Sequence, residues 1–467
     1  MAGILFLKVA LGLVVLYVLR NLLLNPKESS TPLPPGPKGL PVVGNISDLP
    51  PPGIPEYQHW FKHRVRYGPL SSVTVLGQTM IIIHDKNLAL ELMEKRANIH
   101  SGRPKMKFGF DIEAGELILK ITYDYTIDPH KNDPLVDMVD QALEQFSQAI
   151  VPGKWAVDIF PFLEYLPDWT PGAGFKRTAR LWRKTLMGCA NIPYEYVKQQ
   201  RSCGKDSPSF VAKSIEQAQY ERSFGPSEEH AIKWAAASMY TGGADTSVST
   251  MNAFFLAMSM FPGVQRKAQE EIDRVVGASR LPTFSDRERL PYVNAIVEEA
   301  QRWHPIGCMG LPHATDKEDF VNGYRIPKGS LLLPAVWWFT RDPTVYHDPE
   351  TFKPERFMEP YNEPSATNVT FGFGRRICPG RVLADSSLYL TFAQSLATFD
   401  IRKSLDKGGK EIEPTHEFES GIIAYPAPFN VKVTPRSEQH ESLIQRAVLE
   451  EHPWEEGDAR YLESVNG

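Results

Sequence analysis

The 467-residue chain is 42% hydrophobic and 23% charged, an ordinary globular composition that can support a large core. Its net charge of −5 gives no basic footprint for nucleic acid. The four cysteines, Cys189, Cys203, Cys308 and Cys378, match no zinc spacing and are too few for a disulfide scaffold, which fits a reducing compartment.

From Gly3 to Leu24 the chain is almost wholly apolar, interrupted by Lys8 and Arg20. As a helix this stretch would be about 33 Å long, close to the hydrocarbon thickness of a bilayer. Both cations lie near its ends, where they can snorkel to the headgroups. No small-residue cleavage site follows, so a retained anchor over residues 1–26 is expected rather than a removed signal peptide or a buried helix. Arg20 and Lys27 on the downstream side favour a cytoplasmic body. Residues 27–40 contain Pro32-Leu33-Pro34-Pro35-Gly36-Pro37, which cannot be helix and reads as a stiff spacer.

Two β-rich runs, Leu70–Val75 and Gln78–Ile83, flank Leu76-Gly77 and predict a hairpin. Asn87–Lys95 has helical apolar spacing. From Ala231 onward helices dominate: Ala231–Phe261, Val264–Val276, Tyr292–Trp303 and Arg381–Phe399. Short β-prone pieces lie at Leu331–Leu333 and Phe429–Val433. The stretch 437–467 is charged, without β pattern, and is expected to be peripheral. The fold class is mainly α with a small β component, in one body over residues 41–436.

The strongest chemical signal is Phe371-Gly372-Phe373-Gly374-Arg375-Arg376-Ile377-Cys378-Pro379-Gly380, followed directly by an apolar helix. A thiolate on iron needs a loop that brings backbone close to a flat macrocycle. Gly374 permits positive φ, and Gly380 permits tight packing as the helix begins. Pro379 suits a first helical turn. The sulfur would then sit near a helix N-terminus, whose partial positive charge favours thiolate. Arg376 can reach a propionate as a charge-assisted partner. A lone cysteine, by contrast, is ordinarily a small buried hydrophobe.

This segment resembles the haem-binding signature of the cytochrome P450 family, carried here by Phe371, Gly374, Arg376, Cys378 and Gly380. The resemblance implies a cytochrome P450 fold with an N-terminal transmembrane helix, and haem b (iron protoporphyrin IX) with Cys378 as its axial thiolate, which pushes electron density onto iron. Gly242-Gly243-Ala244-Asp245-Thr246-Ser247 also agrees with the family. There the glycines would open a groove for dioxygen, with Asp245 and Thr246 guiding protons and Ala244 leaving room beside the haem. Read alone, the same glycines could simply serve tight helix packing.

Glu299 and Arg302, three residues apart, share a helical face and would by themselves be a surface pair. The resemblance implies that they join Arg356, in Pro354-Glu355-Arg356-Phe357, as a buried ion network beneath the haem. His313 stands where many relatives place a propionate-binding arginine, and is either such a contact or a plain loop histidine. Ile306–Leu311 and Gly421–Ala424 are implied pocket linings. Pro34-Pro35-Gly36-Pro37 matches microsomal members. Trp169–Phe175 and Lys233–Ala237 are similar to fungal secondary-metabolism enzymes of the O-methylsterigmatocystin oxidoreductase-like group.

The chain departs from the family after Ser101-Gly102-Arg103-Pro104. Members normally continue there for several dozen residues, including a helix with tryptophan and arginine four apart that binds a propionate. Here Ile118–Tyr125, which looks like a much later helix, follows within about fifteen residues. Trp60 with Arg64 reads as a surface amphipathic helix and Trp337 with Arg341 as a loop, so neither supplies the pair. An internal segment near 110–118 is therefore expected to be missing, with poor haem occupancy as the consequence.

The function implied is a monooxygenase that inserts one oxygen atom from O2 into an apolar small molecule in secondary metabolism. Electrons would come from NADPH through a separate NADPH–cytochrome P450 reductase, since no flavin or dinucleotide module is recognisable. The implied location is the endoplasmic reticulum membrane, single-pass, with the catalytic domain facing the cytoplasm. An O2-independent haem-thiolate isomerase or dehydratase is opposed by Asp245-Thr246. A catalytically impaired haem-binding short form is kept open by the missing segment.

Overall fold

The computed structural model describes residues 31–41, 43–51, 53–103, 116–127, 131–149, 155–159, 161–243, 245–419, 421, 423–447 and 456–462. The expected anchor, Ala244 and most of the region of the expected missing segment lie outside them. Among the described residues no helix is long and apolar enough to cross a membrane. The chain divides into two units: one takes the chain up to Pro51, Trp60–Pro104 and Pro312–Pro334, the other Pro52–His59, Lys105–Leu311 and Ala335–Gly467.

In the first unit Leu70–Val75 (β1) and Gln78–Ile83 (β2) form the expected hairpin, with Leu70 opposite Ile83 and Val75 opposite Gln78. Leu76 and Gly77 both take positive φ, the geometry of a tight two-residue connection. His313–Ala314 (β3), Asp319–Val321 (β4), Tyr324–Ile326 (β5) and Leu331–Pro334 (β6) come from the later part of the chain. The four-stranded sheet runs β1-β2-β6-β3, with β2 and β6 parallel, while β4 and β5 pair separately. Ile81, Ile82 and Ile83 are fully buried. A continuous apolar run is what a strand covered on both faces requires.

The proline-rich stretch is not a free spacer. Pro35 O accepts from Ser72 N at 2.9 Å, Pro34 O from Ser72 Oγ at 2.6 Å and Pro37 O from Asn45 Nδ2 at 3.0 Å. Extended proline backbone lacks internal hydrogen bonds, so its carbonyls satisfy the outer edge of β1. The approach is close enough that a Cβ on Gly36 would fall 1.9 Å from Ser72 O.

Trp60 also differs from expectation. It lies in Glu56–Tyr67 (α1) and is 2% exposed, so that helix buries its aromatic face rather than floating on the surface.

The second unit is helical. Its main elements are Glu116–Tyr123 (α2), Pro134–Ala149 (α3), Gly174–Ser202 (α4), Phe210–Tyr220 (α5), Pro226–Gly243 (α6), Asp245–Met260 (α7), Pro262–Val275 (α8), Pro291–Trp303 (α9), Val336–Phe339 (α10), Arg381–Thr398 (α11) and Glu438–Arg446 (α12). Phe399–Lys403 (β7) pairs antiparallel with Val431–Pro435 (β8). The helix expected over Ala231–Phe261 falls on α6 and α7, on either side of Ala244, which lies outside the described residues. Trp337 sits in the single turn α10 rather than in a loop, and the Arg341 guanidinium packs 5.0 Å from its ring centroid.

Two apolar clusters fill this unit. Leu119, Tyr123, Val139, Val197 and Tyr240 tie α2, α3, α4 and α6 together. Phe254, Ile272, Val293, Trp303 and Phe392 do the same for α7, α8, α9 and α11. Phe254 and Phe392 stack at 3.9 Å, and removing either ring would cost about 3–5 kcal/mol. The tail is less peripheral than its charge suggests. Leu462 enters the first cluster, and Asp458 exchanges hydrogen bonds with the Thr126 backbone, its N donating to Thr126 O at 2.8 Å and its Oδ2 accepting from Thr126 N at 2.9 Å.

Candidate active site

The Cys378 loop is shaped by backbone bonds. Gly372 and Gly374 take φ of 81° and 54°, conformations in the left-handed region that favours glycine. Arg376 N donates to Phe373 O at 3.0 Å, and Cys378 N donates to Phe371 O at 2.8 Å, closing the turn. Phe373, 2% exposed, is the apolar pin beneath it. The N-cap of α11 is Gly380, so Pro379 precedes the helix instead of occupying its first turn, and Cys378 lies two residues ahead of the cap. Arg375, Arg376 and Arg381 are exposed around the loop.

The four cysteines are not equivalent. Burial pushes the Cys189 and Cys308 thiols up to about 12, which keeps them protonated and unsuited to iron. Cys203 is exposed at the C-cap of α4. Cys378 alone combines partial burial, a glycine turn and a following helix. A Cβ on Gly380 would lie 3.7 Å from its sulfur, so glycine keeps that side of the sulfur open. An accessible thiol on a low backbone loop, ringed by guanidinium groups for propionates, fits a haem.

The hydroxyl of Thr246, in α7, donates to Gly242 O at 2.8 Å. This is the back-bond of a threonine hydroxyl to the carbonyl four residues before it. With its proton committed there, Thr246 Oγ1 is left to accept. Asp245 opens α7, and α7 packs on α11, the helix that follows the cysteine loop.

Glu299, Arg302 and Arg356 are each 0% exposed and meet directly. Arg302 grips Glu299 with two bonds, Nε to Oε2 at 2.7 Å and Nη2 to Oε1 at 2.8 Å, while Arg356 Nε reaches Oε1 at 3.1 Å. A fourth member, Glu363, accepts from Arg356 Nη1 at 2.6 Å and balances the charge. The remaining donors go to carbonyls of Thr340, Pro349, His347, Asp348 and Thr351. Burial alone would lower the pKa of Arg356, but Glu299 and Glu363 outweigh it and raise the pKa above the ordinary value. Full pairing is the condition on which such charges can be buried at all.

His313 belongs to the first unit, where it is buried in β3 and its Nδ1 donates to His100 O at 2.7 Å. The implied pocket segments meet in the second unit. Ala424 N donates to Ile306 O at 2.8 Å, and Ala424 O accepts from Ser249 Oγ and from His304 Nε2, each at 2.9 Å. Sequence reasoning missed Glu363, whose partner Arg356 is seven positions away across a loop with no regular period, and Ser249 and His304, whose partner Ala424 lies far away in the chain.

A family model described as Cytochrome P450 matches residues 114–433. A multifunctional cytochrome P450 monooxygenase of Aspergillus fumigatus is 41% identical over 489 residues, covering 90% of this chain and 91% of the relative. A cytochrome P450 monooxygenase of Gibberella zeae is 42% identical over 499 residues, covering 92% and 94%. O-Methylsterigmatocystin oxidoreductase of Aspergillus flavus is 39% identical over 514 residues, covering 96% of each. The chain belongs to the cytochrome P450 family. It is a monooxygenase of the fungal secondary-metabolism type, and its cofactor is haem with a cysteine thiolate as axial ligand. In the last comparison 96% of 467 residues is about 448, against 514 aligned positions, so about 66 positions of the relative face no residue of this chain.

Proposed function

We propose that this chain inserts one oxygen atom from O2 into an apolar C–H bond of a small secondary metabolite, with electrons from NADPH–cytochrome P450 reductase at the endoplasmic reticulum membrane. The observation that carries this reading is that one unit holds both the Cys378 loop and the Thr246 hydroxyl bonded to Gly242 O, on a helix packed against the one that follows the loop. Haem, when bound, supplies the oxidising chemistry. Cys378 holds the iron from the loop, and Phe371 and Gly380 shape that loop. Arg376 is assigned to a propionate. Thr246 Oγ1, already donating to Gly242 O, accepts from a water molecule and orients it, and Asp245 supplies the proton. Glu299, Arg302 and Arg356 serve folding and haem retention. Residues 1–26 anchor the chain with its body in the cytoplasm.

A catalytically impaired short form is the second reading, favoured by the roughly 66 unmatched positions. The family match begins at residue 114, just past the point where the sequence breaks from the family pattern. That supports an internal segment missing between Pro104 and that residue. Losing an interior helix exposes apolar surface at about 25 cal/mol per Å², enough to rival a domain's whole stability.

The test is a reduced-CO difference spectrum and NADPH-dependent product formation in reductase-containing microsomes. This chain would be compared with one carrying the corresponding segment of the Aspergillus flavus relative after Pro104. Weak thiolate-haem signal in the first and strong signal with turnover in the second is the expected result. Full haem occupancy in the 467-residue chain would overturn the short-form reading, and turnover in neither would overturn the monooxygenase assignment for this sequence.

A further inference from the structure

The carbonyl of Ala424 ties the segment that carries it to two helices of the second unit. Ser249 Oγ reaches it from α7, His304 Nε2 reaches it from the C-cap of α9, and its own residue returns a bond to Ile306 O. Ala424 is 1% exposed, and Ser249 and His304 are 0%. Its segment folds back on itself, with Glu419 N donating to Tyr425 O and Ala427 N to Glu417 O, both at 2.8 Å. This fold-back is held to the end of α9 by two stacked pairs. The Trp303 and His416 rings lie 3.4 Å apart at 11°, and those of His304 and Phe418 lie 4.1 Å apart at 6°.

The hydrogen-bond directions follow from the partners. A carbonyl only accepts, so His304 carries its proton on Nε2. Its Nδ1 is then an acceptor in the neutral ring, and His416 Nε2, 3.3 Å away, is the donor that faces it. Protonating His304 would set two N–H groups against each other. Burial is consistent with the neutral ring: it pushes His304 down to about 3, Arg341 pushes the same way, and the bond to Ala424 opposes them. Ser249 lies three residues beyond Thr246 and so shares a helical face with it.

We infer that Ser249, His304 and His416 are positioning residues that fix Ile423 and Ala424 against Ile306, and so set how deep a substrate sits beside Thr246. The inference rests on the pocket assignment made above. One carbonyl with two donors from different helices has little freedom to move, so the wall keeps its depth relative to α7 rather than to its own fold-back.

The test uses the full 467-residue chain in detergent micelles, as parent, Ser249→Ala, Ser249→Thr and His416→Phe, the last keeping a ring against Trp303. Hydrogen exchange at 423–425 is read without any need for haem, and it should quicken about tenfold in Ser249→Ala and His416→Phe. In haem-loaded protein, imidazole binds iron without reaching the wall, whereas 4-phenylimidazole touches it. The ratio of the two affinities should therefore shift about threefold in Ser249→Ala and return in Ser249→Thr. A general loss of stability would change both affinities together. Unchanged exchange in both variants overturns the clasp, and quicker exchange with an unchanged ratio overturns its role in setting depth. Absence of any thiolate-haem spectrum counts against the haem reading of this chain and leaves exchange to decide the clasp.

Discussion

Around Glu299, Arg302 and Arg356 no side chain of the triad reaches solvent, whereas Arg376, Pro379, Gly380, Arg381 and Val382 at the start of α11 are all exposed. Both regions carry residues typical of the family, and both lie in the second unit. The first is held by side chains: two carboxylates and two guanidinium groups use one another and the backbone carbonyls of Thr340, His347, Asp348, Pro349 and Thr351 as partners. The second is held by backbone: two left-handed glycines and the Cys378 N to Phe371 O bond fix the loop, with Phe373 buried beneath it and Arg375, Arg376 and Pro379 exposed. A change in the first region should therefore register in folding, and a change in the second in chemistry.

Cys378→Ser gives the largest expected effect and the sharpest form of that contrast. It should abolish the thiolate-haem spectrum and all turnover, while urea unfolding of the haem-free chain moves by less than about 0.5 kcal/mol, as for a substitution outside a packed core. A large loss of stability would show that the loop is not held by backbone alone. Arg356→Ala should do the opposite. It leaves Glu363 and one side of Glu299 uncompensated, at a cost of about 3–5 kcal/mol. Equilibrium unfolding of the haem-free chain measures this, and a variant as stable as the parent would break the comparison.

The contrast also explains which features could be read from the sequence. The Leu70–Ile83 hairpin, helices α8, α9 and α11 and the Cys378 loop depend on local spacing and on glycines at fixed offsets, and each appears close to its expected bounds. Glu299 and Arg302 were visible as a helical pair, but their burial was legible only through the resemblance. The features that escaped are long-range. Ser249 meets Ala424 across 175 positions, and His304 meets it across 120. Pro34 and Pro35 dock on Ser72 through backbone carbonyls that no composition signals.

The smallest effect separates the ion network from the buried histidines by pH. Glu363 is held below the usual carboxylate range: burial alone would raise it, but the bonds from Arg356 and His347 and the charge of Arg356 together prevail. Its contribution is present above its ordinary value of 4.5 and is lost only as pH falls below that. His304 works in a higher window. The unfolded ring takes up a proton near pH 6.5 that the folded ring refuses until about 3, so stability is full above 6.5 and falls as pH drops. At pH 5 this amounts to about 2 kcal/mol. His416 is lowered for the same reasons, by burial and then by the charges of Arg341, His304 and Arg302, and acts with the same sign. His84 in the first unit, pushed down to about 3 by burial and by Arg64 and His63, adds to it. Urea unfolding of the haem-free chain should therefore weaken between pH 6.5 and 5, before the contribution of Glu363 begins to be lost. His416→Phe should make that slope shallower by at most about 1.4 kcal/mol per pH unit, the share of one proton. An unchanged slope would mean that the His416 ring is charged or exposed in the folded chain, and the neutral pair at the end of α9 would have to be redrawn.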